Sequence, residues 1–114
     1  MKRGTIVLTK FPFTDLSSAK RRPGIIVSGK SSDKQDTIVA FISSVIPHEL
    51  EDTDYLISTY HKDFPVTGLK KESVVKLNKL ATINSSVISG EIGVASEDTM
   101  AQIDERLKLA LGLK

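Results

Sequence analysis

The sequence contains no cysteine and no tryptophan. Without thiols there is neither a disulfide framework nor a thiolate metal site, and the absence fits a reducing compartment. Histidine is almost as scarce. His48 and His61 are the only two and lie too far apart to share one helical face, so no zinc-ligand spacing is present. No apolar run nears the roughly 20 residues a spanning helix needs. Met1-Lys2-Arg3-Gly4 leads into only a short apolar stretch, so the chain reads without a secretory signal or membrane anchor, as a cytoplasmic protein. A Gly-x-Ser-x-Gly elbow and a glycine fingerprint after the first strand are also missing, which argues against a serine hydrolase and a dinucleotide enzyme. Ser28-Gly29-Lys30-Ser31-Ser32-Asp33 lacks the full phosphate-loop pattern, and strand-like residues follow it where a helix is required. No cofactor and no metal are expected.

What the chain does have is 114 residues, 39% hydrophobic and 26% charged, the profile of one soluble globular domain spanning 1–114. Its net charge is only +2, but the charge is unevenly placed. Residues 1–34 carry eight Lys/Arg against Asp15 and Asp33, a balance of +6. Residues 49–63 carry five carboxylates against Lys62, a balance of −4. A basic end on an otherwise near-neutral chain suits a phosphate-bearing ligand.

Thr5-Ile6-Val7-Leu8-Thr9 is short and β-branched, hence a strand. Arg21-Arg22-Pro23-Gly24-Ile25-Ile26-Val27-Ser28 is the pivotal stretch: a continuous Ile-Ile-Val run marks a strand buried on both faces. Pro23 is tolerated where that strand opens and holds Arg22 extended. Thr37 to Ile42 is the most apolar strand. Tyr55-Leu56-Ile57 reads as a short exposed strand within the acidic span, and Phe64 to Leu69 as turns. Ser73 to Leu77 and Ala81 to Ile83 are further strands, with a bend or bulge at Asn78-Lys79. Ile88 to Val94 is an irregular last strand. The C-terminus is helical: Ser96 caps it, Glu97 and Asp98 suit its dipole, and Gly112 stops it. Met100, Ile103, Leu107 and Leu111 form one apolar stripe expected to pack on the sheet. Short strands with one terminal helix make an α+β domain whose sheet curls into a small barrel.

Among reactive groups, a guanidinium and a hydroxyl at strand ends stand out. Arg22 begins one strand and Ser43 ends another. If those strands are antiparallel neighbours, the two side chains converge. The pair suits a phosphodiester, the guanidinium neutralising charge on phosphate oxygens and the hydroxyl donating a hydrogen bond. The ordinary alternative is a solvated basic turn and a strand-end serine satisfying its own backbone.

In order along the chain, Arg3-Gly4, Phe11-Pro12-Phe13-Thr14-Asp15, Arg22-Pro23, Ile42-Ser43-Ser44, Gly68-Leu69, Glu72-Ser73-Val74-Val75, Ala81-Thr82-Ile83 and Ser96-Glu97-Asp98-Thr99-Met100 resemble the PemK/MazF family of toxins from toxin–antitoxin pairs. The resemblance covers nearly the whole chain. It implies an SH3-like β-barrel of mostly antiparallel strands with a C-terminal helix, assembled as a homodimer and neutralised by an acidic antitoxin. It implies a metal-independent endoribonuclease cutting single-stranded mRNA at short motifs, with Arg22 and Ser43 as catalytic residues. The substrate 2′-hydroxyl would attack phosphorus, leaving a 2′,3′-cyclic phosphate and a 5′-hydroxyl, so DNA would be spared. Thr14, Asp15, Lys20, Arg21, Ser44 and Lys79 would contact the RNA.

The chain departs from the family at two places. Asp15-Leu16-Ser17-Ser18-Ala19-Lys20 replaces the usual Gly-Ser-Glu-Gln-type loop, and Lys79 and Ala81 stand where many relatives carry Gln and Arg. Two further readings share the same barrel: a gyrase-poisoning toxin, and an inactive member that only binds RNA or antitoxin. The first depends on a Trp-Gly-Ile ending, whereas this chain closes Leu-Gly-Leu-Lys.

Overall fold

The β-branched runs form the centre of a single antiparallel sheet. The structure, a computed structural model, describes residues 2–12, 20–29 and 35–114. Strands β1 (Thr5–Thr9), β2 (Arg22–Ile26), β3 (Asp36–Ser43), β4 (Asp54–Ile57), β5 (Ser73–Asn84) and β6 (Gly90–Val94) lie in the order β4-β5-β3-β2-β1-β6. Every neighbouring pair is antiparallel. The sheet curls into a half-barrel with β4 and β6 at its edges, the expected α+β architecture. Helices α1 (Phe64–Thr67) and α2 (Glu97–Leu111) complete it. Among the described residues no helix is long and apolar enough to cross a membrane.

Alternation along the strands divides the apolar residues between two cores. Ile6, Ile25, Ala40, Ile42, Val75 and Leu77 pack with Met100 and Ile103 of α2. Val7, Phe11, Ile26, Val39, Ala81 and Ile83 fill the opposite face. Adjacent residues Ile25 and Ile26 thus enter different cores, which is why β2 is apolar without alternation.

Strand β5 carries the expected irregularity at Asn78-Lys79 but is not broken into two strands. Phe41 pairs with Lys76, whereas the next residue back, Ala40, pairs with Leu80. Leu77, Asn78 and Lys79 are therefore extra residues, an enlarged bulge. The bulge turns the strand over: Val75 and Leu77 face the helix core, while Ala81 and Ile83, of the same parity, face the other.

Helix α2 begins as its sequence indicates. Ser96 Oγ accepts the Thr99 N–H at 3.3 Å, and Gly112 ends the helix with φ 70°. Arg3 ties the N-terminal segment to this helix through Asp104, with its Nε donating to the Val27 carbonyl at 2.8 Å. One member of the apolar stripe departs from expectation. Leu111 is 54% exposed, because the last turn runs past the sheet and Ala110 takes the core-facing position there.

Two other expectations are corrected. The segment 64–69 holds a one-turn helix, with Pro65 in its first turn and Gly68 following at φ 75°. Backbone crowding by Ile92 leaves no room for a side chain at Gly68, so α1 lies directly on β6. Strand β4 is not an exposed strand either: Ile57 is fully buried.

The acidic span likewise contributes to the interior. Asp54 is buried and receives Lys76 Nζ at 3.1 Å. Asp63 is buried beside the N-terminus of α2, where its Oδ2 accepts the Ser96 N–H at 2.8 Å. Burial pushes the Asp63 carboxyl up, but hydrogen bonds from Thr99 and Ser96 outweigh it and hold the group below its ordinary range. The charge also sits where the helix dipole favours an anion.

A folded value below the unfolded one means that Asp63 stabilises fully above about pH 4 and that this contribution fades as pH falls through the folded value. Asp63→Ala should therefore cost roughly 1.5–3 kcal/mol at neutral pH, the range for hydrogen bonds to a charged group. Urea unfolding at neutral pH and near pH 2 checks this, since the gap between variant and parent should narrow in acid.

Candidate functional site

The site is assembled by the register of two strands. On β2 and β3, Gly24 pairs with Phe41, Ile25 with Ala40 and Ile26 with Val39. Counted back along the same antiparallel pairing, Arg22 falls opposite Ser43. On the other flank Thr9 of β1 pairs with Arg22. By strand alternation Arg22 and Gly24 share a face with Phe41 and Ser43. The expected convergence of Arg22 and Ser43 is thus present.

They line a cleft of about 220 Å³ together with Pro23, Phe41, Ile42, Ser44 and Val45. Arg22 is exposed, and among the described residues no carboxylate pairs with it. Ser43 is half-buried, and its Oγ accepts the Val45 N–H at 3.1 Å. The hydroxyl hydrogen points to the Val45 carbonyl at 3.4 Å, a long bond whose donor is readily redirected to a ligand oxygen.

A second cleft of about 300 Å³ meets the first at Pro23 and Ser44. Leu8, Leu69 and Ile92 line it with Lys70, Lys71 and Ser73. Neither lysine is paired with a carboxylate among the described residues. Sequence reading missed both, although a dibasic step after Gly68-Leu69 was the available signal. What hid them was the path of α1, which carries Gly68 to Lys71 back across the sheet to the ends of β2 and β3.

The remaining expected contacts fall out unevenly. Ser44 lines both clefts. Lys79 is brought near by the β5 bulge and stands 6.0 Å over the Phe41 ring. Lys20 is exposed just before β2. Arg21 turns aside, its Nε donating to Ser89 Oγ. Thr14 and Asp15 lie outside the described residues. Phe41 is the other residue that sequence reading missed.

His61 belongs to the scaffold. Its Nδ1 accepts the Asp63 N–H at 3.0 Å, and its Nε2 meets Tyr55 Oη at 2.7 Å. A neutral ring with Nδ1 accepting carries its proton on Nε2 and donates to the tyrosine. Among the described residues, no group of three His, Asp or Glu side chains is arranged to hold a metal ion.

A curled antiparallel sheet that presents guanidinium, ammonium and hydroxyl groups along strand ends, with no carboxylate lining the two clefts, defines an anion-binding β-domain suited to phosphodiesters. The sequence profile of the PemK-like, MazF-like toxins of type II toxin–antitoxin systems matches residues 2–111. The chain belongs to that family.

Among curated proteins no sequence matches this one. Solved structures of similar fold include an endoribonuclease in complex with its cognate antitoxin from a Mycobacterial species, with TM-score 0.75, 17% identity and coverage of 100% of this chain and 97% of that one. Mycobacterium tuberculosis toxin MazF-mt6 gives TM-score 0.73 at 19% identity, covering 98% of this chain and 99% of that one. MazE-MazF from Deinococcus radiodurans gives TM-score 0.74 at 14% identity, covering 100% and 97%. These likenesses bear on the fold.

The cleft depends on a glycine beneath it. A Cβ on Gly24 would stand 2.5 Å from Val39 Cγ1 and 2.6 Å from Phe11 Cζ. Gly24→Ala should cost about 1–3 kcal/mol, as overpacking does, and displace Phe11. The urea midpoint measures the cost.

Proposed function

We propose that this toxin is an endoribonuclease that cleaves single-stranded RNA at short sequence motifs without a divalent metal. The observation that carries the reading is the placement of Arg22 opposite Ser43 in one cleft. Support also comes from Lys70 and Lys71 in the adjoining cleft, from the family, and from relatives described as endoribonucleases.

In this reading a substrate 2′-oxygen attacks the adjacent phosphorus as the bond from phosphorus to the 5′-oxygen breaks. The products are a 2′,3′-cyclic phosphate and a 5′-hydroxyl, the departing oxygen taking up a proton. Arg22 stabilises charge on the non-bridging oxygens, and Ser43 donates a hydrogen bond to one of them. Arginine stays protonated at ordinary pH, so its role is electrostatic. Lys70 and Lys71 hold flanking phosphates, with Ser44 between the clefts. Lys20 and Lys79 add positive charge at the rim. Arg21, engaged with Ser89, contributes less.

The same basic clefts suit an acidic antitoxin segment, which would order on binding. Two of the solved relatives are described as toxin–antitoxin pairs. A homodimer acting in the cytoplasm completes the proposal. Sedimentation at micromolar concentration should give twice the chain mass, and a monomer would contradict it.

Arg22→Ala should reduce cleavage at least about a hundredfold, as loss of one oxyanion donor does. Stability should stay within about 0.5 kcal/mol, since the side chain is on the surface. Arg22→Lys should restore little, because an ammonium lacks the two-pronged grip. Arg21→Ala should weaken binding only modestly. The assay is incubation of a long single-stranded RNA in EDTA, followed by direct kinase labelling of the new 5′ ends. Cleavage that disappears in EDTA and returns with magnesium would overturn the mechanism.

A further inference from the structure

Beside the Arg22 and Ser43 pair stands an aromatic ring that the proposed chemistry does not use. Phe41 is two residues before Ser43 on the same face of β3, about 7 Å away along the strand. It is half-buried and lines the Arg22 cleft. Its orientation is fixed from below: Phe11, almost fully buried, meets it edge-to-face at 5.1 Å with an interplanar angle of 79°. Phe11 occupies the space that Gly24, the cross-strand partner of Phe41, leaves free. Lys79, displaced outward by the β5 bulge, places its ammonium 6.0 Å from the ring centroid.

A rigid ring in a cleft, one strand step from a guanidinium and beside a second cation, has the composition of a single-strand nucleic-acid platform. Stacking holds a base through its π-face, and cations hold the backbone. A phosphodiester gripped by Arg22 carries a nucleobase one sugar away, and Phe41 lies on that scale. The ring is also pre-ordered by Phe11, so little side-chain freedom is lost on binding.

We propose that Phe41 is the stacking platform for the nucleobase flanking the phosphate held by Arg22, with Lys79 as the cation at the rim of that base site. This rests on the ribonuclease reading and adds to it a place where a base is held. Stacking is tolerant of sequence, so Phe41 supplies affinity and alignment while polar neighbours choose among bases.

The test uses binding to the full chain of two short fluorescent strands: a 2′-O-methyl oligonucleotide of mixed sequence, whose blocked 2′-oxygen cannot attack, and an abasic strand of equal length. The native protein should bind the base-bearing strand about tenfold more tightly, the scale of one stacked base. Phe41→Leu keeps apolar contact with Phe11 but removes the ring, and should abolish that preference while leaving abasic affinity unchanged. Phe41→Trp should retain the preference. Because the chain has no other tryptophan, its fluorescence reports the site alone, and should be quenched by the base-bearing strand and not by the abasic one. An undiminished preference in Phe41→Leu, or an unquenched tryptophan at saturation, would overturn the platform and leave the ribonuclease reading standing. If the native protein binds neither strand and leaves long single-stranded RNA intact, both fall.

Discussion

The antiparallel register of β2 against β3 is the constraint on which the rest depends. Slipping that pairing by one residue would send Arg22 and Ser43 to opposite faces and exchange the two cores. The register is held from both sides. Ile25 and Ile26 enter different cores and are both fully buried, so neither can change face without exposing a large apolar side chain. Gly24 makes room for Phe11 on one face only. The apolar residues that stabilise the sheet thereby also fix the geometry of the cleft at its end.

Electrostatics divides the molecule into structural and available charge. Several carboxylates are occupied in holding elements together: Asp54 with Lys76, Asp63 at the start of α2, and Asp104 with Arg3. The cations at the clefts have no such partners among the described residues lining them. Arg22, Lys70 and Lys71 face a ligand space without a carboxylate, so their combined field acts on whatever enters. Near-zero net charge and a strongly basic site are compatible because the acidic groups lie elsewhere on the fold.

Much of this was legible in the sequence wherever the signal was local. Pro23 before an Ile-Ile-Val run, the Ser96 cap with its acidic first turn, and Gly112 each specify an element within a few residues. The facing of Arg22 and Ser43 was legible only conditionally, since it required a strand pairing. Features set by distant packing were not. The β5 bulge preserves strand conformation while switching faces, so Ser73 to Asn84 looks like two strands when it is one. Leu111 keeps helical spacing, but only the extent of the sheet decides that nothing covers it. Pro65 and Gly68 did mark α1, a turn short enough to pass for a loop. Lys70 and Lys71 reach the site only because α1 folds back onto β6.

The central claim is that Arg22 and Ser43 act on one phosphate. Its most direct measurement is a double-mutant cycle on single-turnover cleavage of single-stranded RNA, comparing Arg22→Ala, Ser43→Ala and the double variant. Residues acting as a unit are strongly non-additive. The account predicts that the double variant is about as slow as the worse single variant. Losses that multiply in full, or a Ser43→Ala variant as active as the native protein, would contradict it.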